Sequence, residues 1–454
     1  MVSRVRAWGD RLRSSLFFVP MLCVLLGAIL GQVLLGVDAL VTGIDERLTA
    51  TVESARTVLT TVAGATLTFA GIAFSVSLLL ISLASSQYSP RVVHGMFRDP
   101  FNKRVMGLVI GTFTYCLVVL RAVRTGVEGG GEAVVPSISI LLAVVLGIAS
   151  ILSIVAFINH AAHSMDVSNI LRRVTEEILA QARSAWPEPQ ADESSRPNPA
   201  TGEESTVPPG EAAAVRFVEH GWVQNVDYES LLAALPAGSQ AQLDTFAGRY
   251  AVPRTPVCHV WPRTRRRQCR PVPVGPDKVA EAIRSSVIVG ETRTLQQDVT
   301  YGVRQLADVA LKAMSPGIND PTTAQDAMCH LGTVLADLLR RRPPPRRLVG
   351  AGGRVLLLPP ATTHAGLVAE AFDEVRIASA EQPTVLIYLL QILGDVEDSL
   401  AGLDRPEAVR ALRAQVEQVM AHNEAAEGLA TDRERVRVAH TARERRTAPS
   451  RELT

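Results

Sequence analysis

The chain has 454 residues, which is long for one ordinary domain, and 47% of them are hydrophobic. Its 46 basic and 45 acidic residues leave a net charge of +1, so the charge balance gives no support to binding of nucleic acid or acidic substrates. Five cysteines without the spacing of a disulfide framework suit a reducing compartment, and the positive mean hydropathy favours a membrane protein.

Four apolar runs predict four transmembrane helices. The first follows a basic start, but it is longer than a signal-peptide core and lacks a small-x-small cleavage site, so we expect it to be retained. The second carries no charged residue between Arg56 and Arg91. As a helix it would be about 51 Å long, whereas about 20 residues cross a bilayer core. The predicted spans are 14–37, 57–88, 104–122 and 135–160.

Small and polar residues recur along one face of the second predicted helix. Their spacings of four, three, four, seven and four residues place them on a single helical face. Such a face is poorly suited to acyl chains and needs another helix or water beside it. Two interpretations are open: a packing face within one four-helix bundle, or the wall of an aqueous path shared by several subunits. These residues, the polar stripe, are Gly64, Thr68, Gly71, Ser75, Ser82 and Ser86.

The third and fourth runs carry their own packing signals. Gly107 and Gly111 form a small-xxx-small pair suited to close helix contact. The third run is short, and we expect Lys103 and the other basic residues at its ends to extend outward and lengthen it. Three small residues share one face of the fourth run: Ala143, Gly147 and Ser150.

Lysine and arginine near the helix ends predict the orientation, because positive charge is retained on the cytoplasmic side. The side with both termini and the loop after the second helix is much the more basic. We therefore expect a multi-pass protein of the bacterial inner membrane with cytoplasmic N- and C-termini. The residues counted are Arg4, Arg6, Arg11, Arg13, Arg91, Arg98, Lys103, Arg104, Arg172 and Arg173, against Arg47, Arg56, Arg121 and Arg124.

The rest of the chain predicts a mixed α/β, mostly helical cytoplasmic region after the α-helical bundle. β-branched residues spaced by prolines indicate strands, with a short helix at 227–235. Thr294 and Gln297 have the spacing of a capping box at a helix start. A single short strand is predicted at 354–360. The predicted parts are a transmembrane domain, 1–183, with an amphipathic extension at 164–183; a disordered linker, 184–212; a β-rich subdomain, 213–275; a helical subdomain, 276–425; and a disordered tail, 426–454.

Two loops are candidate coupling elements between these parts. The loop at 86–104 joins the second and third spans, and its candidate residues are Arg91, Phe97, Arg98, Asp99 and Phe101. In the second loop an aspartate can cap the next helix, a proline can be its first residue and a glycine can take positive φ. We expect the two loops to dock, although both could simply hold helix ends. The second loop comprises Ser315, Pro316, Gly317, Asn319, Asp320 and Pro321.

Three stretches carry a family resemblance. Residues 75–124, 221–232 and 306–324, the last reading LADVALKAMSPGINDPTTA, resemble the bacterial membrane family called domain of unknown function 2254. The motifs stand in the family's order, and the similarity covers most of residues 15–400. The resemblance implies four N-terminal membrane helices and a soluble C-terminal part, and it brings no agreed biochemical activity.

Other clusters give weak signals for chemistry. Asp326, Cys329 and His330 share a helix face, as metal ligands or as ordinary helix residues. His160 and His163, with Asp166, are expected to be interfacial anchors or a proton-responsive cluster. The basic cluster at 263–270 is a solvated loop or a contact for anionic lipid. We find no phosphate loop or nucleophile motif, and we predict no enzyme, no cofactor and no metal.

These observations lead to two function hypotheses. The first is a homo-oligomeric passive ion channel or pore regulated by the cytoplasmic region. The polar stripe has no ionisable group, which argues against a coupled carrier but not against a passive pore. The alternative is a non-catalytic membrane sensor or scaffold. The expected partners are the lipid bilayer and further copies of the chain, not nucleic acid, and any small-molecule or protein partner is left open.

Overall fold

In a computed structural model, the described residues are 18–40, 51–87, 100–123, 135–164, 166–186, 212–262, 278–359 and 362–447. The chain divides into two compact units, Met1–Ile170 and Leu171–Thr454. We call them the membrane unit and the C-terminal unit. Each is described by itself below.

The membrane unit is helical. Within the described part of the chain, four helices are long and apolar enough to cross a membrane, which confirms the predicted number of spans. The second has 36 residues and is therefore about 54 Å long, so the prediction that it exceeds the bilayer core is confirmed. The helices are α1 (Phe18–Leu40), α2 (Val52–Gln87), α3 (Pro100–Ala122) and α4 (Ser137–Ser164).

Helix α3 is the centre of the membrane unit and packs against α1, α2 and α4. Its contact with α1 depends on glycine. A Cβ on Gly27 of α1 would lie 2.4 Å from the carbonyl oxygen of Gly111, and one on Gly107 would lie 2.7 Å from Sγ of Cys23. Only glycine permits backbones to approach this closely. The contact role predicted for Gly107 and Gly111 is confirmed, and Gly27 with Gly31 supplies a matching pair that sequence reasoning missed.

The small face of α4 also packs inside the unit. Ala143 is fully buried, a Cβ on Gly147 would lie 3.0 Å from Cγ1 of Val62, and Oγ of Ser150 donates to Oγ1 of Thr112 over 3.2 Å. The outward position expected for Lys103 is wrong. Its exposed fraction is 6%, because it lies on a buried side of α3, whereas Arg104 and Arg121 are exposed as expected.

The C-terminal unit begins within α5 (Val167–Ala185), and the predicted amphipathic helix is confirmed. Leu171, Ile178 and Ala182 form its buried face. Two sheets follow, with strand orders β1-β5-β3-β8-β7 and β4-β2-β6. Their strands are β1 (Ala213–Arg216), β2 (Gly221–Val226), β3 (Ser239–Leu243), β4 (Tyr250–Ala251), β5 (Pro256–Pro262), β6 (Val287–Gly290), β7 (Arg347–Gly350) and β8 (Arg354–Leu357).

Both sheets cross the predicted boundary at residue 275. Strand β6 pairs antiparallel with β2, and β8 pairs parallel with β3. The β-rich part therefore does not end at 275, and β6 and β7 were missed. Four-residue strands next to helices carry too little periodicity to be seen in a sequence, and parallel pairing joins residues far apart in the chain.

Eight helices complete the described part of the C-terminal unit: α6 (Tyr228–Ala234), α7 (Lys278–Ser285), α8 (Val299–Ala313), α9 (Pro321–Arg340), α10 (His364–Ala378), α11 (Pro383–Ser399), α12 (Pro406–Ala425) and α13 (Ala430–Thr447). The short helix predicted at 227–235 is confirmed. Helix α8 packs against α9 and α10, and α11 packs against α9, α12 and α13.

The predicted disordered tail is wrong over α13. This helix is polar, but its Val436 is fully buried, and Arg443 pairs with the buried carboxylate of Glu397 on α11. The helix has few large apolar residues, so its packing against α11 leaves no periodic apolar signal in the sequence.

The predicted capping box is also wrong. Helix α8 starts at Val299, and Asp298 caps it by accepting from the backbone N–H of Tyr301. Gln297 instead pairs with the backbone of Val226 in β2, accepting from its N–H over 2.9 Å and donating to its carbonyl over 3.1 Å. A side chain used for a long-range contact resembles a local cap in sequence alone.

The glycine contact between α1 and α3 can be tested by Gly27→Val. We expect a loss of about 1–3 kcal/mol in the free energy of unfolding, because the added side chain would overlap the backbone of α3. Gly36→Val is the matched control, since a Cβ at Gly36 would meet nothing within 4 Å. Unfolding by SDS in mixed micelles, followed by circular dichroism, measures both. Equal effects of the two changes would contradict the contact.

Candidate functional site

Helix α2 has two opposite faces. One face is buried against α3 and α4 through Ala55, Leu59, Ala63, Thr66 and Ala73. The polar stripe lies on the other face, and at 3.6 residues per turn its centre is about 170° away from the buried face. Its described members are all exposed: Gly64, Thr68, Gly71, Ser75 and Ser82. Ser86 belongs to α2, but its surroundings lie outside the described residues.

The two stripe glycines border open space. A Cβ on Gly64 or Gly71 would meet nothing within 4 Å, whereas Gly27 and Gly111 have no room for one. In the part of the chain that the structure describes, the stripe therefore does not pack within its own bundle. The interpretation of the stripe as an intra-bundle packing face is wrong for its five described members.

Large apolar side chains border the polar stripe on both sides. Leu67, Phe74 and Leu78 lie along one edge, while Ile72 and Leu79 lie along the other, and all are exposed. The outward face of α2 is thus a shallow, weakly polar groove between two apolar ridges. Sequence periodicity identified the polar stripe, which is the floor of this groove. Only the packed structure shows that the stripe points away from the bundle.

The threonine hydroxyls on this side of α2 bond to their own helix. Oγ1 of Thr68 donates to the carbonyl of Gly64 over 2.9 Å, and Thr61 and Thr57 donate in the same way to Thr57 and Glu53. Each hydroxyl oxygen keeps acceptor capacity after its proton is used. The stripe can therefore offer oxygen acceptors along the helix without any formal charge.

A carboxylate that sequence reasoning missed fixes the end of the bundle where α2 begins. Asp38 of α1 accepts from the N–H of Ile138 over 2.9 Å and from the N–H and hydroxyl of Ser139 over 3.0 and 2.5 Å. It caps α4 from another helix. Tyr115 of α3 donates to the Ser139 carbonyl over 2.9 Å. The only sign of this cap in the sequence is a lone aspartate near the end of the first apolar run.

The second predicted loop is a tight, well-bonded turn between α8 and α9. Asp320 caps α9 by accepting from the N–H groups of Thr322 and Thr323, both over 3.1 Å, and from the Thr323 hydroxyl. Pro321 is the first residue of the helix, so both roles are confirmed. The positive φ predicted for Gly317 is wrong: Asn319 adopts it, at +47°, and its side chain accepts from Gln382 over 3.0 Å.

The turn ends in an exposed tip. Pro316 and Gly317 are exposed, and Ser315 is half-buried. The Ser315 carbonyl accepts from Ile318 over 3.0 Å and from Asn319 over 2.9 Å. These bonds give the tip a defined shape, and its docking to the 86–104 loop stays a prediction.

Most of the first predicted loop, with Arg91, Phe97, Arg98 and Asp99, lies outside the described residues. Phe101 belongs to α3, where its ring centroid is 4.6 Å from that of His160 on α4. It thus makes a contact inside the membrane unit. His163 also bonds within its own helix, through Nδ1 and the Asn159 carbonyl over 2.8 Å.

The helix face with Cys329 and His330 is used in packing. Nδ1 of His330 lies 2.8 Å from Oγ1 of Thr175 in α5, and Sγ of Cys329 lies 3.2 Å from the hydroxyl of Tyr388 in α11. Burial lowers the pKa of His330. Among the described residues, no cluster of three or more His, Cys, Asp or Glu side chains could hold a metal ion.

Four candidate membrane-spanning helices followed by a mostly helical unit with two sheets are the architecture of a multi-pass membrane protein. Residues 13–395 match the family described as "Predicted membrane protein (DUF2254)". The chain belongs to this family, and the resemblance found in the sequence is confirmed.

The chain is similar to three other proteins over most of its length. Uncharacterized proteins of Mycobacterium bovis and of two Mycobacterium tuberculosis strains are each 30% identical to the chain over 414 residues, which is 90% of this chain and 77% of the relative. No solved structure gives a significant match.

The Asp320 cap predicts a pH dependence. Hydrogen bonds from the Thr323 side chain and backbone lower the pKa of Asp320. The carboxylate therefore stabilises the fold above its unfolded pKa of about 3.9, and this contribution is lost as pH falls through the lower folded pKa. We expect Asp320→Ala to cost about 1 kcal/mol at neutral pH and less in acid.

Thermal unfolding of the detergent-solubilised protein measures this effect, with fluorescence from Trp186, Trp222 and Trp261 of the C-terminal unit as the signal. Thr384→Ala, at another exposed residue near a helix start, is the control and should change little. A difference between wild type and Asp320→Ala that grows below pH 4 would contradict the predicted sign.

Proposed function

We propose that the protein forms a homo-oligomeric passive pore in the bacterial inner membrane, with the polar stripes of several α2 helices around a central aqueous path. The observation that carries the proposal is the direction of the stripe. It lies opposite the buried face of α2, is exposed in the protomer and has open space above both glycines. Association of copies would shelter this face from acyl chains.

The apolar ridges suit such an assembly. In a ring of copies, the ridge with Leu67 and Leu78 would pack against the ridge with Ile72 and Leu79 of the neighbouring α2. Helices in a membrane associate through close packing rather than through a hydrophobic drive, and complementary ridges beside small residues favour that packing. The weakly polar floor would then face the axis.

The chemistry of the floor favours a passive path. Hydroxyl oxygens can replace part of the hydration shell of an ion. No charged residue lies in the stripe, and none lies in α2 beyond Arg56. A coupled carrier needs an intramembrane ionisable group, so we propose passive flux of small ions with little charge selectivity.

We further propose that the C-terminal unit, which would be cytoplasmic, regulates the path. Two residues separate the end of α4 from the start of α5, and most of α5 belongs to the C-terminal unit. A Cβ on Gly302 of α8 would lie 2.3 Å from Cγ1 of Ile178, and Arg341 donates to the Trp186 carbonyl over 3.1 Å. A shift of that unit would therefore pull on α4, whose Gly147 contacts Val62 of α2.

One observation favours the alternative, a non-catalytic sensor or scaffold. Because Thr68 donates to the Gly64 carbonyl, the stripe could be sheltered by a directly apposed helix without any water. Two copies of α2 would then meet through Gly64 and Gly71 and leave no path. The two functions differ in whether the assembled protein conducts.

Flux from ion-loaded proteoliposomes tests the proposal. We expect wild-type protein to release trapped potassium, and Ser75→Leu with Ser82→Leu to abolish release, because leucine would fill and dehydrate the floor. Ser75→Ala with Ser82→Ala removes the same two hydroxyls without adding bulk and is the matched comparison, with release expected to fall but to persist.

Native mass spectrometry of each variant reports subunit number, so that lost flux is not confused with lost assembly. Assembly without flux in the wild type would favour the scaffold. A wild-type protein that is monomeric in bilayers and does not conduct ions would overturn the proposal of a pore.

A further inference from the structure

One edge of the C-terminal unit exposes a group of apolar side chains. In β4 and the residues after it, Tyr250 and Val252 point outward while Ala251 between them is buried. Tyr250 meets Trp222 edge-on, with ring centroids 5.3 Å apart. The most exposed apolar side chains here are Val218 at 69%, Val252 at 50%, Tyr250 at 45% and Phe246 at 45%. Exposed apolar side chains on adjacent segments are candidates for an interaction surface.

Arginines surround the same edge, and their charge is not cancelled by the bonds that hold them. Arg216 donates to the carbonyl of Arg254 over 2.8 Å, Arg284 donates to the carbonyl of Arg216 over 3.2 Å, and Arg249 donates to the carbonyl of Asp244. A carbonyl fixes a guanidinium group but leaves it cationic. The four arginines are exposed: Arg216, Arg249, Arg254 and Arg284.

Backbone hydrogen bonds place the exposed apolar residues next to the arginines. Phe217 donates to the carbonyl of Thr255 over 2.9 Å, and Arg254 donates to the carbonyl of Phe217 over 2.9 Å. These bonds extend the pairing of β1 with β5 and bring Val218 beside the 252–254 segment. Three acidic residues lie near these arginines in the chain, Glu219, Asp244 and Glu281, and Asp244 Oδ2 also lies 2.6 Å from Nδ1 of His259. The four arginines outnumber them, so positive charge stays in excess. We call the four apolar and four basic residues the basic-apolar edge.

The geometry points to the basic-apolar edge as a docking surface for an anionic lipid bilayer. Arginines attract acidic headgroups, and each basic residue near such a surface strengthens binding about fivefold. Exposed valine and aromatic side chains can enter the boundary between headgroups and acyl chains. The unit is covalently joined to membrane helices, so the bilayer is present at high effective concentration. These three features together favour lipid over a diffusing protein partner.

Hydrogen–deuterium exchange of the full-length protein in nanodiscs tests the inference. One set contains only phosphatidylcholine, and in the other about one third of the lipid is phosphatidylglycerol. In the anionic discs, exchange should slow in peptides covering 214–222 and 246–256. The protection should vanish at high salt, because surface electrostatics are screened. The turn at 316–320 should exchange equally in both.

Variants separate charge from structure. Arg216→Gln, Arg254→Gly and Arg284→Gln together should return exchange to the phosphatidylcholine rate. Glycine is chosen at Arg254 because its φ of +72° suits glycine better than any other residue. The control removes three exposed arginines elsewhere in the unit, with Arg410→Gln, Arg437→Gln and Arg445→Gln, and should keep the protection.

Two results would overturn the inference. Equal protection in the two lipid compositions would show that anionic lipid is not recognised. Protection that rises with the number of protein copies per disc, independent of lipid charge, would assign the edge to contact between copies of the chain.

Discussion

Membrane helices have no hydrophobic force to drive them together, so their contacts depend on how closely backbones can approach. The membrane unit satisfies this constraint with glycine. Gly27 lies against the backbone of Gly111, and the side chain of Val62 packs against Gly147. These contacts fix α3 at the centre and determine which faces of α1, α2 and α4 turn outward. The direction of the polar stripe is a consequence of this packing.

The stripe is notable because it holds the same residue types as the internal contacts but has no partner within the described bundle. Gly64 and Gly71 are open where Gly27 and Gly111 are closed. An outward face of a membrane helix is usually covered with large apolar residues, and the flanking residues Leu67 and Leu79 follow that rule. A small and weakly polar floor between such ridges is therefore best explained by a neighbour or by water, and this supports the proposed assembly.

Local features of the fold could be predicted from the sequence. Four apolar runs specify four helices, and Asp320 with Pro321 specifies the start of α9, because both signals act within a few residues. Non-local features could not be predicted. The pairing of β8 with β3, the contact of Gln297 with β2 and the ion pair between Arg443 and Glu397 join distant segments. The candidate site was predictable only in part for the same reason. Periodicity placed its residues on one face of α2 but did not show which way that face points.

The central claim is that the polar stripe faces water or another copy, not lipid. Spin labels placed singly at Thr68, Ser75 and Ser82 in bilayers, with Leu141 and Leu152 of α4 as lipid-facing references, test it most directly. Collisions with a water-soluble nickel chelate report water, and collisions with oxygen report acyl chains. The account predicts that the nickel chelate relaxes stripe labels that face water, that neither reagent relaxes stripe labels packed against another copy, and that oxygen relaxes the reference labels. Stripe labels that respond to oxygen as strongly as the references, and ignore the chelate, would contradict it.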